Sequence, residues 1–351
     1  MSDLRVIVIG CGNMGSSHAR SYFAVDGFAL VGLVDRDTAR AQKLAAETGN
    51  PAVFTEMDEA LQKAQPDVVC ICTYPDTHHA LVMKALKAGK HVFVEKPLAR
   101  TVAEAEEIVR TAHTLKRKVV VGYILRHHPA WARFIAEART LGKPLVMRMN
   151  LNQQSSGAEW EVHKRLMTSM SPIVDCGVHY VDIMCQMTQA EPVRVTAIGA
   201  RLTDEIAADM YNYGQLQVVL ADGSVGWYEA GWGPMMSETA FFVKDVIGPR
   251  GSVSIADKHD AGSADIDSHT KTSRLLRHDA ATHTNASIDT SDDPGHQGLC
   301  DAEQRYVLKA VREDLDLTDH MNDAVNSLRI VLACDESVRT GAVVHLKTKE
   351  Q

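Results

Sequence analysis

A run of β-branched residues, Val6-Ile7-Val8-Ile9, breaks directly into Gly10-Cys11-Gly12-Asn13-Met14-Gly15, and a helical pattern from Asn13 to about Phe23 follows. Strand, glycine fingerprint and helix in that order constrain the fold more than any other feature. The spacing suits a tight turn at Gly10, close backbone approach of a pyrophosphate at Gly12, and close helix–strand packing at Gly15. The free N–H groups and positive dipole end of the helix then face the phosphates. The residues of this nucleotide site are Gly10, Gly12, Asn13, Met14 and Gly15.

The same grammar continues downstream. Strand candidates are Arg5–Ile9, Ala29–Asp35, Val68–Thr73, His91–Glu95 and Val119–Tyr123, with a weaker one at Val53-Phe54. Amphipathic helices at Thr38–Thr48, His79–Ala88 and Ala103–Leu115 lie between them. Unbroken Val/Ile runs belong to strands covered on both faces, as in a parallel sheet. Strand–helix alternation gives a doubly wound α/β domain, here residues 1–124.

From about residue 125 the pattern changes. A helix over Pro129–Leu141 is followed by strand-like Leu145–Leu151, Val193–Arg201, Gln215–Leu220, Val225–Ala230, Phe241–Ile247 and Ser252–Ile255. Asp222-Gly223 and Gly248-Pro249-Arg250-Gly251 are turn signals. Residues 125–351 therefore read as a second α/β domain with an open mixed or antiparallel sheet, closed by helices near Cys300–Val311 and Thr318–Thr340. Residues 257 to about 297 are polar and lack apolar periodicity, so they read as a long loop. Its histidines, His259, His269, His278, His283 and His296, are irregularly spaced and read as solvated rather than metal-binding. Met167–Met170 and Met184–Met187 read as helix packing.

Bulk properties narrow the function. A net charge of −8 with no dense basic stripe disfavours nucleic acid. Seven scattered cysteines without a CxxC pair favour free thiols over disulfides or structural zinc. No apolar run approaches the roughly 20 residues that cross a bilayer, and no signal-peptide pattern precedes Val6, so a cytoplasmic protein is expected.

Asp35 ends the second strand, 20 residues beyond Gly15. A carboxylate there accepts from the adenosine ribose hydroxyls and repels a 2′-phosphate, which favours NAD. Arg36 leaves NADP open, since a guanidinium pairs with phosphate. Thr73-Tyr74-Pro75-Asp76-Thr77-His78 follows a strand end and is expected to border the nicotinamide ribose through Thr73, Pro75 and His78; the alternative for His78 and His79 is a solvated pair at a helix start. Val92-Phe93-Val94 ends in Glu95-Lys96-Pro97. Lys96 at a strand end beside a dinucleotide site suits an active-site cation; a surface charge and an ion-pair partner of Glu95 are the alternatives.

In the second half, Asp175-Cys176-Gly177-Val178-His179-Tyr180-Val181-Asp182 places Asp175 and His179 at i,i+4 on a helix, with Asp182 on the same face. A carboxylate beside an imidazole suits a general base; a structural histidine and a metal ligand are the alternatives. No third ligand is evident, and no metal is expected. Trp160 and His163, upstream of that helix, are candidates for the substrate face.

With these motifs in hand, the chain resembles the glucose–fructose oxidoreductase / inositol dehydrogenase / MocA family over nearly its full length. The resemblance rests on the fingerprint, on Thr73 to His78, on Gly89 through Pro97, on Gly122-Tyr123 through Arg126 and Pro129, and on Asp175 through Asp182. It implies a Rossmann domain followed by an open-sheet α/β domain, a homodimer or homotetramer, and a sugar or polyol substrate. It also implies that Lys96 contacts substrate and nicotinamide, that Asp175 and His179 contact the reacting hydroxyl, and that Arg126 lies near the substrate. The chain departs from the family in Thr73-Tyr74-Pro75, where Thr-Pro-Asn is usual, and in Ser171-Pro172, where a Gly-Gly pair is common. An NAD-dependent dehydrogenase of ring hydroxyls follows. A redox-assisted glycoside-cleaving enzyme with retained NAD and a non-catalytic NAD sensor are the alternatives.

Overall fold

The structure is a computed structural model and describes residues 2–237, 243–256, 272, 274–290 and 293–346. By the density of backbone contacts the chain divides into two units. One comprises the chain to Ile124 with His296–Val325, and the other Leu125–Gly295 with the chain from Asn326.

The first unit is built on strands β1 (Leu4–Ile9), β2 (Phe28–Val34), β3 (Ala52–Phe54), β4 (Val68–Ile71), β5 (His91–Glu95) and β6 (Val119–Gly122). All neighbours pair in parallel, in the order β3-β2-β1-β4-β5-β6. Val6, Ile7, Val8, Val69, Ile71, Phe93 and Val94 are almost wholly excluded from solvent, as unbroken apolar strands require. Helices α1 (Asn13–Ala24), α2 (Thr38–Glu47), α3 (Met57–Ala64), α4 (Pro75–Lys87) and α5 (Val102–Leu115) connect the strands. Local chemistry sets their starts: Asp37 accepts from the Arg40 amide, Pro75 occupies the first turn of α4, and Thr101 with Glu104 closes a capping box. The helix α3 was not expected from sequence; only Met57, Ala60 and Ala64 bury on its inner face. Strand order reverses between β1 and β4, and in doubly wound sheets ligands bind outside the strand carboxyl ends at such a switch point.

The second unit contains α6 (Pro129–Thr140), α7 (Gly157–Leu166), α8 (Pro172–Asp175) and α9 (Gly177–Thr188). Its strands are β7 (Val146–Gln154), β8 (Pro192–Ala200), β9 (Tyr213–Leu220), β10 (Val225–Gly233), β11 (Lys244–Gly248), β12 (Gly251–Ala256), β13 (Arg274–Asp279), β14 (Thr284–Asp289) and β15 (Val344–His345). They form one nine-stranded sheet in the order β14-β13-β12-β11-β7-β10-β9-β8-β15. Among the described strands only β7 and β10 pair in parallel, so the sheet is mixed, as expected. The Asp222-Gly223 hairpin forms, with the Ser224 amide donating to Asp222. Residues 241 and 242 of the expected Phe241–Ile247 strand lie outside the described residues.

The expected loop over 257–297 is corrected in part, since Arg274–Asp279 and Thr284–Asp289 form an antiparallel hairpin at the sheet edge. Of the first strand only Leu275 is fully buried, and the second is almost wholly exposed, so no hydrophobic alternation marked them. His278 pairs across this hairpin with Asn285, and His283 sits in its turn. His259 and His269 lie outside the described residues.

Two further helices, α10 (His296–Arg312) and α11 (Thr318–Thr340), close the chain. Sequence assigned both to the second domain, yet His296–Val325 belongs to the first unit. There α10 packs on α1, with Gln297 donating to the Ser17 carbonyl and the Ser21 hydroxyl. His320 takes up the Val121 amide at the outer edge of β6, a donor that the sheet cannot satisfy there. Among the described residues no helix is long and apolar enough to cross a membrane.

Candidate active site

At the end of β1 the chain turns at Gly10, whose φ of +88° lies in the left-handed region. A Cβ there would stand 2.4 Å from the Cys72 carbonyl oxygen. One at Gly15 would stand 1.7 Å from the Gly10 carbonyl oxygen, so the turn and the first turn of α1 close only with glycine at both positions. A Cβ at Gly12 would meet nothing within 4 Å, which leaves open space above the loop where α1 begins. Asn13 and Met14 form the first turn of that helix, whose Gly12 cap uses no side chain. Open space over a glycine and uncapped helix N–H groups fit a bound pyrophosphate.

Asp35 stands beyond β2 and accepts the Cys11 amide at 2.7 Å through Oδ2 and the Asp37 amide at 2.9 Å through Oδ1. Its carboxylate is therefore fixed beside the glycine loop, with lone pairs left for ribose hydroxyls. Arg36 is exposed, and the guanidinium nearest Asp35 is that of Arg40, at 3.9 Å. Sequence reading missed Arg40, although it falls in the first turn of α2. Burial, followed by the Asp35 charge, pushes the Cys11 thiol up to about 12, so it stays protonated.

Thr73 shares a 2.6 Å hydroxyl contact with Thr77, and Pro75 is buried at the start of α4. The reading of His78 as a solvated residue is corrected, because the side chain is fully buried. Its ring bridges two carbonyls, Pro97 at 2.8 Å and Thr73 at 3.0 Å, and so ties this turn to the segment carrying Lys96. Burial lowers its pKa, against the pull of those carbonyls. His79 reaches Glu107 on the surface. Glu95, the last residue of β5, is 7% exposed, while Lys96 just beyond it is half-buried. Glu95 accepts from His18 at 2.7 Å and from the Lys96 amide at 3.2 Å.

In the second unit the expected single helix over Asp175–Asp182 is corrected. It is two helices meeting at Cys176, which keeps helical angles of −87° and −40°. The His179 amide bonds back three residues to the Cys176 carbonyl, so the turn carrying Asp175 and His179 is tightened rather than regular. His179 is buried and Asp175 half-buried. Asp182 is committed elsewhere. It receives Arg126 in a forked pair at 2.8 and 2.5 Å and Gln186 at 2.9 Å, and it is 1% exposed. Arg126 thus meets a carboxylate of its own chain, a placement that sequence reading did not foresee.

Trp160, a candidate for the substrate face, is instead 5% exposed and packs in a core cluster with Met167, Ile206 and Trp232, its indole N–H reaching Glu205. His163 accepts or donates at Ser155 Oγ, 2.8 Å away, and stacks on Trp232 with ring centroids 4.4 Å apart. Burial pushes it down to about 4, with the Asp175 charge opposing. Trp232 donates to Gln153 at 2.9 Å, and the Cys176 thiol lies between Gln153 and Asp175. Gln153, Ser155 and Trp232 escaped sequence reading. The signal was Asn150-Leu151-Asn152-Gln153-Gln154, four amides in a strand, three of them buried. Polar groups buried along a strand end have work beyond packing.

Comparison with known proteins places this geometry. Residues 4–123 match the oxidoreductase family with an NAD-binding Rossmann fold, and residues 130–254 match the GFO/IDH/MocA C-terminal domain. The chain is 28% identical to scyllo-inositol 2-dehydrogenase (NAD(+)) of Bacillus subtilis, over 99% of this chain and 97% of that one. It is 33% identical to UDP-N-acetylglucosamine 3-dehydrogenase of Acidithiobacillus ferrooxidans, over 60% of this chain; the match spans 62% of that relative's length. In fold it is similar to an oxidoreductase from Agrobacterium radiobacter solved with NAD+, L-tartaric acid and magnesium, with a TM-score of 0.81 at 16% identity and 98% of each chain covered. With both of its halves matched, and with a glycine loop shaped for a dinucleotide, the chain belongs to the GFO/IDH/MocA family of oxidoreductases and carries that family's NAD-binding Rossmann fold.

Proposed function

We propose that the protein is an NAD-dependent dehydrogenase acting on a ring hydroxyl of a sugar, sugar derivative or cyclic polyol, or on the matching ketone. The observation that carries this reading is the position of Lys96. It stands at the carboxyl end of β5 in a parallel sheet whose glycine loop is built for a dinucleotide, and its neighbour Glu95 is held by two hydrogen bonds. The relatives named for inositol and for a nucleotide sugar act on CH–OH groups, which supports the substrate class.

Bound NAD supplies the two-electron acceptor for the hydride that leaves carbon. The chain handles the proton and the developing charge on oxygen. In this reading the Lys96 ammonium donates to the substrate oxygen and stabilises the alkoxide, and His179 takes the hydroxyl proton as the C=O bond forms. Asp175, one turn earlier, steadies the imidazolium that results. The reading requires Lys96 and His179 to reach one substrate oxygen. Gly10, Gly12, Asn13, Met14 and Gly15 hold the pyrophosphate, Asp35 holds the adenosine ribose, and Thr73 and Pro75 border the nicotinamide ribose.

The test is NADH accumulation, read by absorbance, across a panel of inositols, free sugars and nucleotide sugars. Steady NADH formation with at least one ring polyol or sugar is expected. Consumption of a glycoside without net NADH would replace this reading with redox-assisted cleavage, and NAD binding without turnover would make the protein a sensor.

A further inference from the structure

The first unit buries a polar network that hydride transfer does not explain. His18 on α1 is fully buried, with Nε2 2.7 Å from Glu95 Oε1 and Nδ1 2.9 Å from the Gln304 amide nitrogen on α10. A carboxylate only accepts and an amide NH2 only donates, so the ring carries its proton on Nε2 and aims it at Glu95. The ring also lies 4.7 Å from that of Phe93, packed within the strand that ends in Glu95.

A second carboxyl belongs to the same network. Glu303 on α10 is 1% exposed, and among the described residues neither of its oxygens has a hydrogen-bond partner. Its carboxyl, the Cys300 thiol and the His18 ring lie within 4.8 Å of one another. Two carboxyls buried close together do not both ionise, and the proton stays on the one with fewer donors. That one is Glu303. Burial and then the Glu95 charge push its carboxyl well above the usual range. Glu95 is also buried, which alone would raise it, but the His18 hydrogen bond and then the Lys96 charge hold it below that range. The other titratable groups around the network are Tyr22 on α1, Cys70 in β4, Cys72 just beyond it, Cys300 on α10, and His296, whose Nε2 lies 3.6 Å from the Cys300 thiol.

We propose that His18 is a positioning residue: by donating to Glu95 and leaving the shared proton on Glu303, it keeps Glu95 an anion, and that anion holds the neighbouring Lys96 amine as an ammonium. The consequence for turnover rests on the role given to Lys96 above; the network itself does not.

The test needs no substrate. Wild-type and variant proteins are labelled with acetic anhydride across a pH series, and the modified Lys96 peptide is quantified by mass spectrometry, with Lys84 (paired with Asp58 on the surface) as internal control. In His18→Ala Glu95 keeps only the Lys96 amide as a donor, so part of the negative charge passes to Glu303 and the Lys96 labelling curve moves to lower pH by up to about one unit. Lys84 stays in place. Adding Glu303→Gln leaves Glu95 as the only carboxyl of the pair and returns the curve toward wild type, which a merely structural role for His18 would not do.

An unshifted curve in a His18→Ala protein that still binds NAD overturns the proposal, as does a shift that Glu303→Gln fails to reverse. So does a stoichiometric metal in the purified wild type that Glu303→Gln removes. Should His18→Ala not fold, His18→Gln (which keeps an N–H donor) is expected to label like wild type and Glu95→Gln to shift; wild-type labelling in Glu95→Gln refutes it. Undiminished turnover in Lys96→Ala would remove the catalytic role of that amine and leave the labelling result standing.

Discussion

Replacing Glu303 with Gln should make the protein more stable at neutral pH, and the gain should grow with pH. The carboxyl is 1% exposed and among the described residues has no hydrogen-bond partner, and its folded-state pKa is raised well above the ordinary 4.5 by burial and then by Glu95. Below 4.5 both folded and unfolded chains hold the proton, and ionisation costs nothing. As pH rises past 4.5 the unfolded chain releases its proton while the folded chain keeps it, so stability falls until the pH reaches the folded value. The slope is at most about 1.4 kcal/mol per pH unit, which sets an upper bound of roughly 3 kcal/mol between pH 5 and pH 7. Gln cannot ionise and removes this slope; any packing change it introduces is the same at both pH values and cancels in the difference. Urea midpoints of wild type and Glu303→Gln at pH 5, 6 and 7 measure it. A variant whose advantage shrinks as pH rises would mean that Glu303 is ionised in the folded protein, and the argument about the shared proton would fail.

Two further outcomes follow from particular contacts. Asp35→Ala should relax discrimination against NADP in binding titrations, because the carboxylate fixed by the Cys11 and Asp37 amides is lost; an unchanged preference would show that Asp35 is not the ribose ligand. Arg126→Ala should destabilise by about 3–5 kcal/mol, since it strands the buried Asp182 carboxylate without its forked partner. A loss under 1 kcal/mol in denaturant unfolding would show that Gln186 alone satisfies Asp182.

Much of the fold was legible because its strands are chemically unambiguous. Val6–Ile9, Val68–Ile71 and Val92–Val94 are apolar throughout, and β-branched runs of that length buried on both faces leave little alternative to a parallel sheet. The Arg274–Asp279 and Thr284–Asp289 hairpin was illegible for the opposite reason: an edge ribbon with one buried apolar side chain carries no period. The placement of His296–Arg312 was hidden as well, since the apolar face of a helix does not say which sheet it will cover. It takes its partners, Ser17, His18 and Ser21, from a helix nearly three hundred residues earlier.

At the site, residues fixed by backbone geometry were readable and those fixed by tertiary pairing were not. Gly10 and Gly15 could be assigned from spacing, because the turn itself excludes a side chain. Arg126 and Trp160 look functional as isolated residues, but sequence could not show that Arg126 forks onto Asp182 or that Trp160 packs among Met167, Ile206 and Trp232. Glu303 gave no sign at all. A lone glutamate in an amphipathic helix is ordinarily solvated, and only the packing of α10 against α1 turns it inward.

The proposed mechanism requires Lys96 and His179 to act on one substrate. Steady-state turnover of Lys96→Ala and His179→Ala, with NAD affinity measured alongside, tests this most directly, using the sugar or polyol that gives the highest NADH rate with wild type. Each variant should bind NAD as wild type does and lose about 10²-fold or more in kcat, the scale of a general acid–base group. Wild-type turnover in either one, with NAD still bound, would contradict the mechanism.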